Sequence, residues 1–298
     1  MKNLYIQFRE EKGGWKEKLL YYYKPIELKN VERDQELEME EKLVELPKWK
    51  KKEKFKQKIE EIRKKEKINQ FLFTEEVKNY LGEEVIKQEQ SKLHQKINRS
   101  FLWEELQYLL KCQGKNTQNI DLYFLVNEYS KEMKEVLSFF ALSYKVIHIL
   151  SKNQKYYTRW IERMEEKEQT NFIYSRNYRK SLAKAKIIIN IDFTSQDLKK
   201  FKLNPNAILF NLSEEKLSFQ QVFNGILVTG VGMEADEQKL GIYSELKSFS
   251  FEEIYLARMD PNLSYEEVIR KIKKDNVKVK YLKGINGKID EKEYKCLL

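Results

Sequence analysis

Several residues carry charge or reactivity at spacings that matter chemically. Lys152 and Lys155 stand in a turn between the apolar run Val146 to Leu150 and an amphipathic segment. There they either hold a phosphate as point charges with a helix dipole behind them, or lie as solvated turn residues. Arg176 ends the next apolar run. It either binds an anion through its planar guanidinium or pairs with Asp192 across neighbouring strand ends. His148 sits inside VIHIL, as a core or strand-end histidine or as a general base. Cys112 and Cys296 have no nearby histidine in sequence and no CxxC partner, which removes the usual routes to an activated thiolate. Gly225, Gly230 and Gly232 flank a late strand, as turn and close-packing residues or as walls of a cleft. Ser130 reads as a helix N-cap, with Glu128 as an acidic lip beside it. Phe101, Trp103 and Tyr108 fall at helical spacing, which favours core or interface over a base-stacking platform.

The whole composition narrows what these residues can belong to. With 298 residues, 41% hydrophobic and 13% aromatic, the chain has apolar mass for one large or two medium domains. Two cysteines and two histidines, His94 and His148, are too few for a disulfide scaffold or a multi-ligand zinc site. No stretch approaches the roughly 20 apolar residues of a membrane span, and the first twenty residues are charged throughout, so no membrane span and a cytoplasmic location are expected.

Charge is distributed in blocks. Val31 to Glu45 holds seven acids and two bases, whereas Lys48 to Lys67 holds eleven bases and four acids. The basic block contains Trp49 and Phe55, so it reads either as a nucleic-acid or anionic-membrane patch or as a solvated helix face. Phe55, Ile59 and Ile62 recur at i, i+4 and i+7, the narrow stripe of a helix packed on a core. The adjoining acids lower the long-range attraction for a polyanion, and lysine lacks the bidentate fork of arginine.

The elements that must position these groups change in character along the chain. Asn3 to Phe8 alternates in period two, as a half-buried strand opening a hairpin or strand pair before Gly13-Gly14, and Trp15 to Glu27 suits a second strand. Helical patterns follow at about Lys50 to Asn69, Thr74 to Leu81 and Glu83 to Leu110. After the polar linker Gly114 to Asn119, continuous apolar runs appear at Ile120 to Val126, Lys145 to Leu150, Asn171 to Tyr174, Lys186 to Ile191, Ala207 to Asn211 and Gly225 to Thr229. Amphipathic helices separate them, and such runs are what a parallel sheet buried on both faces requires. Ser264 with Glu267 forms a capping box, and a strand at Val277 to Leu282 leads to an Asn286-Gly287 turn.

The strand, turn and helix from Val146, the strand ending Asn171-Phe-Ile-Tyr-Ser175-Arg176-Asn177, the run Ala185-Lys-Ile-Ile-Ile-Asn190-Ile-Asp192-Phe193 and the late segment Gly230-Val-Gly232-Met233 together resemble the NADP-binding domain of the shikimate dehydrogenase family, over about residues 145 to 238. The resemblance implies an NADP cofactor, with Arg176 in the place of the arginine that reads its 2′-phosphate and Ser151 to Lys155 in the place of the glycine-rich turn. That turn, Ser151-Lys152-Asn153-Gln154-Lys155, contains no glycine, so Cβ atoms stand where a diphosphate needs bare backbone.

The expected fold is therefore α/β, a doubly wound, mainly parallel Rossmann-like sheet preceded by a mainly helical α+β region. The expected domains are residues 1–115, 120–245 and a C-terminal extension over 246–298. Ligands of such sheets bind at the carboxyl ends of the strands. That edge is set by Asn127, Ser151, Lys152, Asn153, Lys155, Ser175, Arg176, Asn177, Asp192, Phe193, Gly230 and Gly232. The expected function is a non-catalytic binding or regulatory protein, with a protein partner or a small anionic ligand. Two alternatives stand beside it: an NADP-dependent oxidoreductase, and nucleic-acid or anionic-membrane binding through Lys48 to Lys67.

Overall fold

The computed structural model describes residues 2–10, 21–22, 24–31, 40–168, 171–213, 215, 217, 223, 225–237, 240, 242, 244–260 and 262–295. In chain order the first half holds β1 (Lys2–Phe8), β2 (Leu28–Asn30), β3 (Glu40–Leu46), α1 (Lys52–Glu66), β4 (Gln70–Phe73), α2 (Glu75–Leu81) and α3 (Glu83–Cys112). Then come β5 (Asp121–Leu125), α4 (Lys131–Ala141), β6 (Val146–Leu150), α5 (Gln154–Glu168), β7 (Phe172–Tyr174), α6 (Tyr178–Lys184), β8 (Ile187–Asn190), α7 (Ser195–Leu198), β9 (Ile208–Asn211) and β10 (Ile226–Val228). The chain ends with β11 (Gly230–Glu234), α8 (Phe251–Ala257), α9 (Tyr265–Lys274), β12 (Lys278–Gly284), β13 (Gly287–Lys288) and α10 (Glu291–Lys295). Two compact units result: residues 1–97 with 236–260, and residues 98–235 with 261–298.

The first unit is built on a four-stranded sheet of order β2-β3-β1-β4. β1 pairs in parallel with both β3 and β4, so it is a central strand and not one arm of a hairpin. Leu4 and Ile6 pack with Phe55, Ile59 and Ile62 of α1 on one face, the stripe that the spacing predicts. Tyr5 is buried on the other face with Leu246, Phe249 and Ile254, although the alternation places it in the solvent register. It is tolerated there because its hydroxyl donates to Glu41 at 2.7 Å. The same carboxylate accepts two bonds from Arg258, at 3.0 and 2.8 Å, which pairs the buried charge. Of the strand expected over Trp15 to Glu27, residues 15–20 and 23 lie outside the described residues, as do Gly13-Gly14 and residues 32–39 of the acidic block. Tyr21 and Tyr22 are helical, because a helical turn brings the Tyr21 hydroxyl inward to accept the Lys48 N–H at 2.7 Å.

The second unit carries a six-stranded sheet of order β10-β9-β8-β5-β6-β7, with every neighbouring pair parallel. Counted from β5, this is the 3-2-1-4-5-6 order of the doubly wound dinucleotide-binding fold, so the sheet is Rossmann-like. Its central strand β8 buries Ile187, Ile188 and Ile189 completely, each contributing on the order of 1.5–3 kcal/mol of apolar burial. α4 presents Met133, Val136, Leu137 and Phe140 to the core at i, i+3, i+4 and i+7, and the side chain of Ser130 caps it by accepting from the Met133 N–H at 3.0 Å. A separate three-stranded antiparallel sheet, β11-β12-β13, closes through the Asn286-Gly287 turn, with Gly287 at φ 103° as that turn demands. The capping box of α9 forms as its sequence predicts. Among the described residues no helix is long and apolar enough to cross a membrane.

Candidate functional site

In this topology the strand order reverses between β5 and β8, and the loops that follow them face each other at the carboxyl edge. The turn that would receive a diphosphate is therefore Asn127 to Ser130, after the first strand of the sheet. Ser151 to Lys155, the turn named by the resemblance, follows the second strand. The apolar runs alone do not reveal which strand is first.

That first turn is filled from within the chain. The Asp192 carboxylate, beyond the end of β8, accepts the Asn127 N–H through both oxygens, at 2.8 and 2.9 Å, and the Glu128 N–H at 2.6 Å. Burial lifts the Asp192 carboxyl above its ordinary range, and these two N–H bonds oppose that rise. The carbonyl oxygens are also engaged: the Tyr157 hydroxyl donates to that of Glu128, and the Asn153 amide to that of Asn127 at 2.5 Å. The Lys152 N–H donates to the Asn127 side chain at 2.8 Å. Glu128 is more than a lip, since Arg99 bridges it at 2.6 Å and Ser130 donates to it at 2.7 Å. Burial would raise the Glu128 carboxyl, but the bonds from Arg99 and Ser130 outweigh it and hold the group below its usual value. The turn thus presents two carboxylates where a diphosphate needs unpaired N–H groups.

An open cleft of about 570 Å³ lies further along the same edge, above β6 and β7. Its walls include Lys152, Arg176 and Arg179, interleaved with Tyr174, Tyr178 and Phe201. Arg176 and Arg179 are exposed and, among the described residues, make no ion pair. The alternative in which Arg176 pairs with Asp192 is not realised, because Asp192 is directed to the first turn. Lys152 reaches Asp197 at 2.7 Å and lies 5.6 Å above the Phe193 ring, so part of its charge is already compensated. Burial would raise Asp197, yet its bonds to Lys152 and Thr194 keep it below the normal carboxylate range. Arg179 carries no motif of its own in the sequence; it lies in the first turn of α6, whose N-cap Asn177 directly follows Arg176.

Most of the remaining candidates have structural partners. Lys155 is exposed on α5. Asn177 caps α6 by accepting from the Lys180 N–H at 3.0 Å, and Phe193 is a core residue at 1% exposure. Ser175 is buried, its hydroxyl 3.3 Å from His148 Nδ1. His148 stacks on Tyr123 with ring centroids 4.2 Å apart, and burial lowers its pKa. Its Nε2 is 3.9 Å from Asp121, beyond hydrogen-bond reach, and the Ser175 N–H is taken by the Ile149 carbonyl. His148 thus packs between Tyr123 and the buried Ser175 on neighbouring strands. A Cβ on Gly232 would stand 2.4 Å from the Tyr281 ring, so this glycine makes room for that ring; Gly230 lies beside it on β11. Cys112 lies at the end of α3, while Cys296 and the side chain of His94 lie outside what is described. Trp49 and Phe55 are buried, at 8% and 0% exposure, so neither ring of the basic segment is presented for stacking. No group of three metal-ligating side chains occurs among the described residues.

No protein-family model matches this chain, and no curated protein does. Among solved structures, the chain is similar to a shikimate dehydrogenase from Aquifex aeolicus at 11% identity, covering 91% of this chain and 97% of that one, with a TM-score of 0.37. It is also similar to an L-alanine dehydrogenase, at 10% identity over 62% and 57% of the two chains and a TM-score of 0.29. A chorismate mutase/shikimate 5-dehydrogenase fusion protein from Clostridium acetobutylicum matches at 13% identity over 91% and 98%, with a TM-score of 0.27.

Proposed function

We propose that this protein is a non-catalytic, Rossmann-like binding protein whose dinucleotide turn is closed by its own side chains and whose anion recognition lies in the neighbouring arginine cleft. The observation that supports this most is the Asp192 carboxylate on the N–H groups of Asn127 and Glu128. A diphosphate has to displace that carboxylate and then face Glu128 as well. At about 4 Å and an effective dielectric of about 20, each pair of like charges costs roughly 4 kcal/mol. No residue of the turn is glycine, so the backbone offers no compensating close approach. NADP therefore does not fit this edge as it is built.

The cleft has the opposite character. Two arginines without ion pairs among the described residues, beside three aromatic rings, suit a small anion carried on a planar group, since guanidinium forks bind oxyanions and ring faces bind planar ligands. Thermal denaturation with phenyl phosphate, tripolyphosphate, NADPH and NADH, each at millimolar concentration, tests both halves. A ligand present at 100 times its dissociation constant stabilises by about 2.7 kcal/mol. Phenyl phosphate is expected to raise the midpoint and Arg176→Ala with Arg179→Ala to abolish the rise. Stabilisation by NADPH but not by phenyl phosphate would replace this reading with the oxidoreductase one.

A further inference from the structure

The strongest unexplained charge in the chain is not Lys48 to Lys67. From Arg270 to Lys288 there are eight bases and a single acid, Asp275. These residues run from the last turn of α9 through β12 to β13. Lys273, Lys274, Lys278, Lys280 and Lys288 are exposed. Of these, only Lys280 has an ion pair among the described residues, a long one of 3.8 Å to Glu234. On α1, by contrast, acids alternate with the lysines, and both nearby rings are turned into the core.

The sheet β11-β12-β13 adds an aromatic surface to this charge. Tyr281 on β12 pairs with Gly232 on β11, and its ring lies across that glycine, where a Cβ would stand 2.4 Å from it. Lys283, two residues further along β12, shares the Tyr281 face, and it pairs with Gly230 on one side and Lys288 on the other. The ammonium groups of Lys283 and Lys288 stand 5.8 and 5.6 Å from the Tyr281 ring centre. Gly232 is buried beneath the ring, and Gly230, half-buried beside Lys283, adds no side chain to the surface next to it. Ile285, at the hairpin tip, is 72% exposed.

We infer that the β11-β12-β13 face binds single-stranded nucleic acid, with Tyr281 as the stacking ring and Lys278, Lys280 and Lys288 on the phosphates. A flat ring on an open sheet accepts any base, because every base has a π face, and lysines at its margin neutralise the backbone without reading sequence. The charge fits a polyanion, and a half-buried tyrosine set among cations suits a stacked base better than the deep groove of a duplex.

The test is fluorescence anisotropy of the full chain with labelled oligothymidylate and oligouridylate of about a dozen nucleotides, and with a duplex of equal length, across about 50 to 200 mM salt. Binding to the single strands is expected to fall steeply with salt. Tyr281→Ala should weaken it about 10-fold or more, while Tyr281→Phe stays within about twofold, which separates the ring from any general loss of fold. Gly232→Ala, which lifts the ring, should behave as Tyr281→Ala. The triple variant Lys278→Ala, Lys280→Ala, Lys288→Ala should lower the salt slope by about 2, at roughly 0.7 per phosphate. Lys56→Ala with Lys64→Ala on α1 should leave binding unchanged. Absence of binding at low salt, wild-type affinity in Tyr281→Ala and the triple variant, or equal affinity for the duplex would overturn the inference.

Discussion

Replacing Glu105 by glutamine should remove a large pH dependence from the stability of the second unit. Glu105 lies on α3 at 1% exposure, and neither carboxylate oxygen has a hydrogen-bond partner. Tyr265 and Tyr144 lie in the same buried region, where burial raises their pKa values. Desolvation lifts the Glu105 carboxyl to about 8. In the unfolded chain the same group titrates near 4.3. Between those two values the folded state holds a proton that the unfolded state has lost, so stability falls as pH rises, by about 1.4 kcal/mol per unit. From pH 5 to 7.5 this amounts to roughly 3 kcal/mol of stability from one residue. Below the unfolded value the penalty vanishes, and above about 8 it is constant. Glu105→Gln keeps the shape and does not ionise, so the difference in unfolding free energy between variant and wild type should grow in the variant's favour across that window. Chemical denaturation at half-unit pH steps, followed by circular dichroism, measures it. Parallel pH curves for the two proteins would refute the assignment of a buried, unpartnered carboxyl.

Three other changes follow from the packing. Glu41→Ala takes the carboxylate away from the buried Arg258 guanidinium and the Tyr5 hydroxyl in the first unit, and should cost about 3–5 kcal/mol by denaturant titration. A loss below about 1 kcal/mol would mean that the pair is hydrated. Gly225→Ala places a Cβ 2.1 Å from the Ala207 carbonyl oxygen, which cannot retreat without breaking the pairing of β10 with β9. Destabilisation of about 1–3 kcal/mol is expected, and a neutral effect would show that β10 is loosely held. Thr194→Ala removes the hydroxyl that accepts the Asp197 N–H at 3.2 Å, while the backbone N–H at position 194 still donates to the Asp197 carboxylate, and should cost about 1 kcal/mol; an unchanged midpoint would mean that the hydroxyl half of the capping box adds nothing to α7.

Much of the second unit is legible in the sequence because a strand buried on both faces has to be apolar in every position. Ile187, Ile188 and Ile189 show this most clearly, and the helices between the strands carry their own caps at Ser130, Asn177 and Thr194. The first unit is less legible. Tyr5 reads as an outward residue, yet it is buried by groups that lie 36 and about 250 residues away in sequence, through Glu41 and Arg258. Parallel pairing of β1 with β3 and β4 leaves no local turn signal. At the candidate site, the rule that ligands meet the carboxyl ends of strands selects the edge that carries Asn127, Ser151 and Arg176. It does not reveal that Asp192 crosses 65 positions to occupy the turn at Asn127. The cationic face on β12 is not legible in the sequence because its lysines are spread over a helix end and two strands, and only strand pairing gathers them around Tyr281.

Titration of NADPH into the purified chain, read by the nicotinamide fluorescence, bears most directly on the closed turn. No saturable change is expected up to millimolar concentration, because Asp192 already holds the N–H groups of Asn127 and Glu128. A saturable enhancement in the wild-type protein would contradict it.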